Sequence, residues 1–131
     1  MRGLDEVIYN RARELFLSGG CSWSTDEFKA VLLKSGVSSN VEHRTLADLP
    51  ADSILATSSL LASKGSARGY ATSGPVEFLQ PTPGIVGAIV IYRVEDDSLI
   101  YFADNTVASG LPLTIGAASI IVNFPRGVFR L

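Results

Sequence analysis

Apolar positions near the start of the chain recur at helical spacing, three or four residues apart. The residues that share this spacing are Leu4, Val7, Ile8, Ala12, Leu15 and Phe16. Such a period places the apolar side chains on one face of a helix. Ser18-Gly19-Gly20 follows and provides a backbone that can end a helix. The pattern predicts one amphipathic helix over about residues 4–17.

After the helix the pattern changes to short apolar runs separated by turn residues. The runs are Phe28–Lys34, Ser53–Leu60, Val76–Leu79, Ile85–Val94, Leu99–Ala103, Ala118–Asn123 and Val128–Leu131. A short helix is the alternative for the first run, because Asp26 and Glu27 are suited to start one, but the run is short and Gly36 stops it. Seven or eight short strands after one helix predict a mainly β fold: a β-sandwich or jelly roll, or a partly closed barrel.

The segments between the runs have the composition of turns and loops. Glu95–Ser98 is expected to form a tight hairpin turn, and Thr45–Leu49 a helical turn. Lys64–Gly74 and Thr106–Gly116 are predicted to be a loop and a long connection. The last two runs, which flank Pro125-Arg126-Gly127, are predicted to pair with each other.

Composition indicates a single domain, residues 1–131, with little attraction for polyanions. The chain has a mass of 13.9 kDa, and domains most often run about 100–150 residues. Its charged fraction is 18%, below the roughly 25% of a typical domain, which suits a surface partly covered by a partner. A net charge of −2 argues against nucleic-acid binding. No apolar run is long enough for a membrane helix, and the N-terminus is unlike a secretory signal.

The residues that most often carry catalysis are too few here to form a familiar site. Cys21 and His43 are the single cysteine and the single histidine, and a thiolate nucleophile needs a base within hydrogen-bond reach and a group that orients it. A free cysteine is ordinarily a small buried apolar residue. We therefore expect no enzymatic activity and no cofactor.

The remaining polar and aromatic motifs favour structural roles. Lys64–Gly69 lacks the order of residues in a phosphate-binding loop. Glu95-Asp96-Asp97 lacks the alternation that wraps calcium, and a hairpin tip is where unpaired carboxylates normally lie. Trp23 is either a stacking platform for sugar or, as we expect, an anchor at the edge of the core. We expect no metal site.

Read as a spaced pattern, much of the chain resembles a family of small structural proteins of tailed-bacteriophage virions. The matching segments are Tyr9–Arg13, Phe16–Gly20, Trp23, Asp26, Lys29–Leu33, Ile54–Ala56, Leu60, Val76–Phe78, Ala88–Tyr92, Ser98–Tyr101, Asp104, Leu111-Pro112 and Val128–Leu131. One departure is Gly69–Pro75, which has no acidic residue where the family has several. A cation or partner contact through those acids is therefore not expected.

The resemblance implies a β-rich cement (decoration) protein that binds the major capsid protein across capsomer boundaries. Such proteins commonly assemble as dimers or trimers, and the location implied is the capsid surface, after synthesis in the host cytoplasm. The residues expected at the interface are Tyr9 and Arg13, facing outward on the helix, and Lys64, Arg68 and Tyr70 in the predicted loop Lys64–Gly74. A head–tail or tail component, and a carbohydrate- or receptor-binding jelly-roll module, are the alternatives.

Overall fold

A computed structural model describes residues 6–37, 40–67, 69–103, 113–122 and 128–129. One helix, α1, spans Asn10–Ser18, and short 3₁₀ turns span Leu46–Asp48 and Ala51–Ser53. The strands are β1 Glu6–Ile8, β2 Phe28–Lys34, β3 Ile54–Thr57, β4 Gly65–Ala67, β5 Tyr70–Thr72, β6 Val76–Phe78, β7 Gly84–Arg93, β8 Leu99–Ala103, β9 Leu113–Ile115 and β10 Ile120–Val122. The predicted mainly β class with one helix is confirmed.

The strands form one antiparallel sheet of six and two ribbons of two. The order in the large sheet is β1-β8-β7-β2-β3, and β9 pairs with the first residues of β7. The ribbons are β4–β5 and β6–β10. The sequence leaves open a sandwich or jelly roll and a partly closed barrel. The described part of the chain contains no closed barrel.

The large sheet is buried on both faces. The first face, built from residues such as Ala30, Leu32 and Ile91, packs against α1 and both ribbons. The second face, with Val31 and Leu33, packs against Tyr9, Leu46 and Leu49. A strand buried on both sides has no polar alternation, which explains why the central residues of β2, Ala30–Leu33, are continuously apolar and buried. The helix alternative for this run is wrong.

The start of the chain differs from the prediction, because β1 occupies part of the expected helix. Val7 pairs with Phe102 of β8, and Ile8 belongs to the first core while Val7 packs against the second. Successive side chains on opposite faces are the mark of a strand. Over only three residues, this alternation cannot be recognised beside the helical spacing that follows. The helix ends as predicted: Gly19 adopts a φ of 79° and its N–H bonds to the Phe16 carbonyl.

Three further elements depart from the sequence-based expectation. The expected loop Lys64–Gly74 contains the β4–β5 ribbon, and the expected connection Thr106–Gly116 contains β9. The predicted pairing of the last two runs is also wrong: β10 pairs with β6, and Phe129 bridges to Ala71 instead. The remainder of the last run, residues 130–131, lies outside the described residues. Pairing partners far apart in sequence leave no local signal.

One glycine is required by close packing within the large sheet. The register between β2 and β7 shifts next to Gly87, where a Cβ atom would lie 2.4 Å from the Cα of Ser35. Such a bulge twists the strand and brings two backbones together. Among the described residues, no helix is long and apolar enough to cross a membrane.

Candidate functional site

Of the two helix residues expected at an interface, one is exposed and the other is buried. Arg13 is exposed on α1. Tyr9 is 0% exposed because α1 begins after it and its ring belongs to the second core. Burial raises the pKa of the Tyr9 phenol well above its usual value, and its hydroxyl has no hydrogen-bond partner in the described part of the chain. The expectation that Tyr9 faces outward is wrong.

Lys64 is directed inward rather than toward a partner. Its Nζ lies 4.8 Å from the centre of the Phe28 ring and 6.0 Å from that of Trp23, and it donates a hydrogen bond to the Asp26 carbonyl. Burial lowers the pKa of this amine because an apolar environment disfavours the charged form. The cation therefore fastens the start of the β4–β5 ribbon to the core. Arg68 lies outside the described residues.

Tyr70 lines an open cavity of about 450 Å³ between α1 and the β4–β5 ribbon, which we call the aromatic pocket. The pocket is lined by Phe16, Trp23, Gly65, Ser66, Ala67, Gly69, Tyr70, Ala71 and Phe129. Its side chains come from three separate parts of the sequence. Phe129 is placed by two backbone bonds: the Ala71 N–H donates to the Phe129 carbonyl at 2.8 Å, and the N–H of the neighbouring Val128 donates to the Ala71 carbonyl.

Trp23 is a half-buried anchor at the edge of the first core, as expected. Its Nε1 donates to the Thr72 carbonyl at 2.9 Å. Its ring lies 4.7 Å from that of Phe28, and Phe129 meets it nearly perpendicularly at 5.2 Å. These neighbours and the Lys64 ammonium occupy much of the ring surface. The indole is therefore poorly placed to serve as a flat platform for sugar stacking.

The hairpin between β7 and β8 carries an ion network that the sequence did not suggest. The Arg93 side chain, 6% exposed, donates to both Asp96 carboxylate oxygens at 3.1 and 2.8 Å, to Asp26 at 3.3 Å and to the Gly20 carbonyl at 2.6 Å. Hydrogen bonds from Arg93 hold the pKa of Asp96 well below its usual range. The expectation of unpaired carboxylates at this hairpin tip is therefore wrong for Asp96.

Cys21 belongs to this network and has the properties of a structural thiol. It is buried beside Asp26 and Arg93, and burial raises its pKa to about 11. A thiol with so high a pKa is protonated at neutral pH and is a poor nucleophile. The charged groups that act on this thiol are Arg93 and Asp26, and His43 is not among them. Within the described ranges, no group of three His, Cys, Asp or Glu side chains is arranged to hold a metal ion.

A second exposed feature, which the sequence analysis missed, lies on the outer face of the β6–β10 ribbon. Ile121 is 59% exposed and pairs directly with Glu77, and Leu79 follows two residues later at 61% exposure. Leu60, 46% exposed, adjoins the Ser59 amide that donates to the Glu77 carbonyl. We call these four side chains, Leu60, Glu77, Leu79 and Ile121, the ribbon patch. Its signal in the sequence is the unbroken run Ile120–Val122, which lacks a polar residue at the outward position.

The chain was compared with protein-family models, curated protein sequences and solved structures, and no match was found in any of the three.

Proposed function

We propose that this protein is a structural component of a tailed-bacteriophage virion, of the cement type, which binds the major capsid protein across capsomer boundaries. The observation that carries the proposal is the ribbon patch, which exposes three large apolar side chains on or next to the β6–β10 ribbon. Clustered exposed apolar residues mark protein–protein interaction sites. The family resemblance supplies the identity of the partner.

The chemistry of the ribbon patch suits one kind of partner surface. Glu77 is the carboxylate among the apolar side chains, and it makes no ion pair within the described ranges. A capsid surface that offers an apolar strip with one lysine or arginine would bury the leucines and pair the carboxylate. Each contact is weak, but many copies on one shell strengthen the attachment through multivalency.

The test is the amount of this protein on purified particles, measured by quantitative gel and located by electron microscopy. We expect a stoichiometry near that of the major capsid protein. The double variant Leu79→Asp with Ile121→Asp should weaken the affinity for the shell roughly thirtyfold or more and so lower occupancy, because burying about half of each of the two side chains contributes roughly 1 kcal/mol.

The matched control is Leu17→Asp, which changes a leucine on α1 that is 88% exposed and outside the ribbon patch. It should leave occupancy unchanged. Particles that hold no copies of the protein would refute the proposal. Few copies in a ring at the neck or tail would instead support the head–tail or tail alternative.

A further inference from the structure

The outer edge of β4 presents backbone groups that no other described strand pairs with. In the β4–β5 ribbon Ser66 lies opposite Ala71. Both backbone groups of Ala71 point away from β4, because its N–H donates to the Phe129 carbonyl and its own carbonyl accepts from the Val128 N–H. Opposed residues in an antiparallel pair share this orientation. The Ser66 N–H and carbonyl therefore point outward, and no described residue bonds to them.

The aromatic pocket lies directly beside this edge. All three residues of β4 line it, together with Phe16, Trp23 and Phe129. Its volume of about 450 Å³ falls within the range of cavities that hold small ligands or single side chains. The lining residues that the structure describes carry no charge, which favours an apolar or aromatic group in the pocket.

We propose that the β4 edge and the aromatic pocket form a docking site for an extended peptide segment of a partner protein. The segment pairs with the Ser66 N–H and carbonyl and places one aromatic or large aliphatic side chain in the pocket. Strand addition of this kind takes its affinity from backbone hydrogen bonds and its specificity from side-chain pockets. The site is separate from the ribbon patch, so the inference goes beyond the proposed function.

A peptide is favoured over a glycan by the surroundings of Trp23. Stacking with a sugar needs an open ring face, and the neighbours of this indole are Phe28 on one side and the edge-on Phe129. An exposed strand edge, in contrast, is a ready template for another chain.

The test uses the full chain and its own fluorescence. Trp23 is the single tryptophan and it lines the pocket, so its emission reports occupancy. The probe is a short capped peptide of alternating threonines around one central phenylalanine. We expect a saturable change in Trp23 emission. A peptide with alanine in place of phenylalanine, and one with N-methyl groups on the pairing amides, should both bind far more weakly.

Two variants separate edge pairing from simple burial. Ser66→Pro removes the outward N–H without breaking a β4–β5 hydrogen bond and should weaken binding at least about fivefold, the value of one net hydrogen bond. Ser66→Thr keeps the N–H and changes only the side chain, so it should weaken binding less than Ser66→Pro does. If Ser66→Pro fails to fold, as judged by circular dichroism, the N-methylated peptide carries the same test.

Three results would overturn the inference: unchanged Trp23 emission with the phenylalanine peptide, equal binding of the N-methylated peptide, or a response to neutral oligosaccharides in place of the peptide. None of these depends on virus particles. Absence of the protein from particles would therefore refute the proposed function and leave this result standing.

Discussion

Replacing Arg93 with methionine tests whether the network at the β7–β8 hairpin stabilises the fold. The substitution keeps a long apolar side chain but removes the guanidinium. The substitution therefore removes two hydrogen bonds to Asp96, one to Asp26 and one to the Gly20 carbonyl. These hydrogen bonds tie the hairpin to the segment that follows α1, so their removal affects more than one element.

The expected cost is about 2 kcal/mol of unfolding free energy. Removing one member of a fully buried ion pair costs roughly 3–5 kcal/mol, because the other charge is left unpaired. Here the Asp26 and Asp96 side chains remain 27% and 35% exposed, so water can solvate both carboxylates and the cost falls below that range. For a chain of this length, about 2 kcal/mol corresponds to a fall in Tm of roughly 8 °C.

The same network predicts a specific dependence of stability on pH. The native pKa of Asp96 is lowered by Arg93, and that of Asp26 is lowered first by the Ser22 N–H and then by Arg93. A carboxyl whose native pKa is depressed contributes stability above its unfolded pKa, about 3.9, and loses it as the pH falls toward the native value. Arg93→Met should therefore narrow the gap in Tm between neutral pH and about pH 3.

The assay is thermal unfolding followed by circular dichroism at both pH values. Arg13→Met, on the exposed surface of α1, is the matched control and should leave Tm within about 2 °C of the unmodified protein. An Arg93→Met variant as stable as this control would refute the reasoning. So would a variant that loses as much stability in acid as the unmodified protein does.

Three further predictions concern the core. Phe129→Ala should lower the unfolding free energy by about 3 kcal/mol and shift the emission of Trp23 to longer wavelength, measured by fluorescence during urea unfolding. Gly87→Ala should cost about 2 kcal/mol or more because its Cβ meets the backbone of Ser35, and a calorimetric Tm checks it. Cys21, with its raised pKa and buried thiol, should react with a disulfide reagent at neutral pH only after denaturation, and rapid labelling of the native protein would contradict this.

The central strands were predictable because each is specified by its own residues. β2 and β8 have the predicted bounds, Phe28–Lys34 and Leu99–Ala103, since a strand buried on both faces must be apolar at nearly every position. β1 was not predictable, because its three residues follow the helical spacing of α1 and become a strand only by pairing with β8. Tertiary pairing overrides a local pattern of this length.

The candidate surfaces were less predictable than the fold, because contacts distant in sequence decide which side chains are free. Tyr9 and Lys64 have polar ends that the sequence alone assigns to the surface, yet Tyr9 is buried in the second core and Lys64 is directed at Phe28. Arg93 offered no signal, since its partners Asp26 and Gly20 lie some seventy residues away. Exposure of Ile121 depends on its pairing with β6, which the sequence did not indicate.

Each ribbon carries one of the two candidate surfaces. The ribbons are attached to the core by different contacts, so a substitution can affect one surface and leave the other intact. The β6–β10 ribbon is fixed by Val76 and Phe78, whose side chains are buried in the first core. The β4–β5 ribbon depends instead on the backbone bonds of Ala71 with residues 128 and 129, and on the hydrogen bond from Trp23 Nε1 to the Thr72 carbonyl. Phe129→Ala keeps the backbone bonds but removes a ring that lines the aromatic pocket, so it should weaken peptide capture at β4 while leaving the ribbon patch in place. Equal loss of both activities in a variant that is still folded would show that the two ribbons do not bind independently.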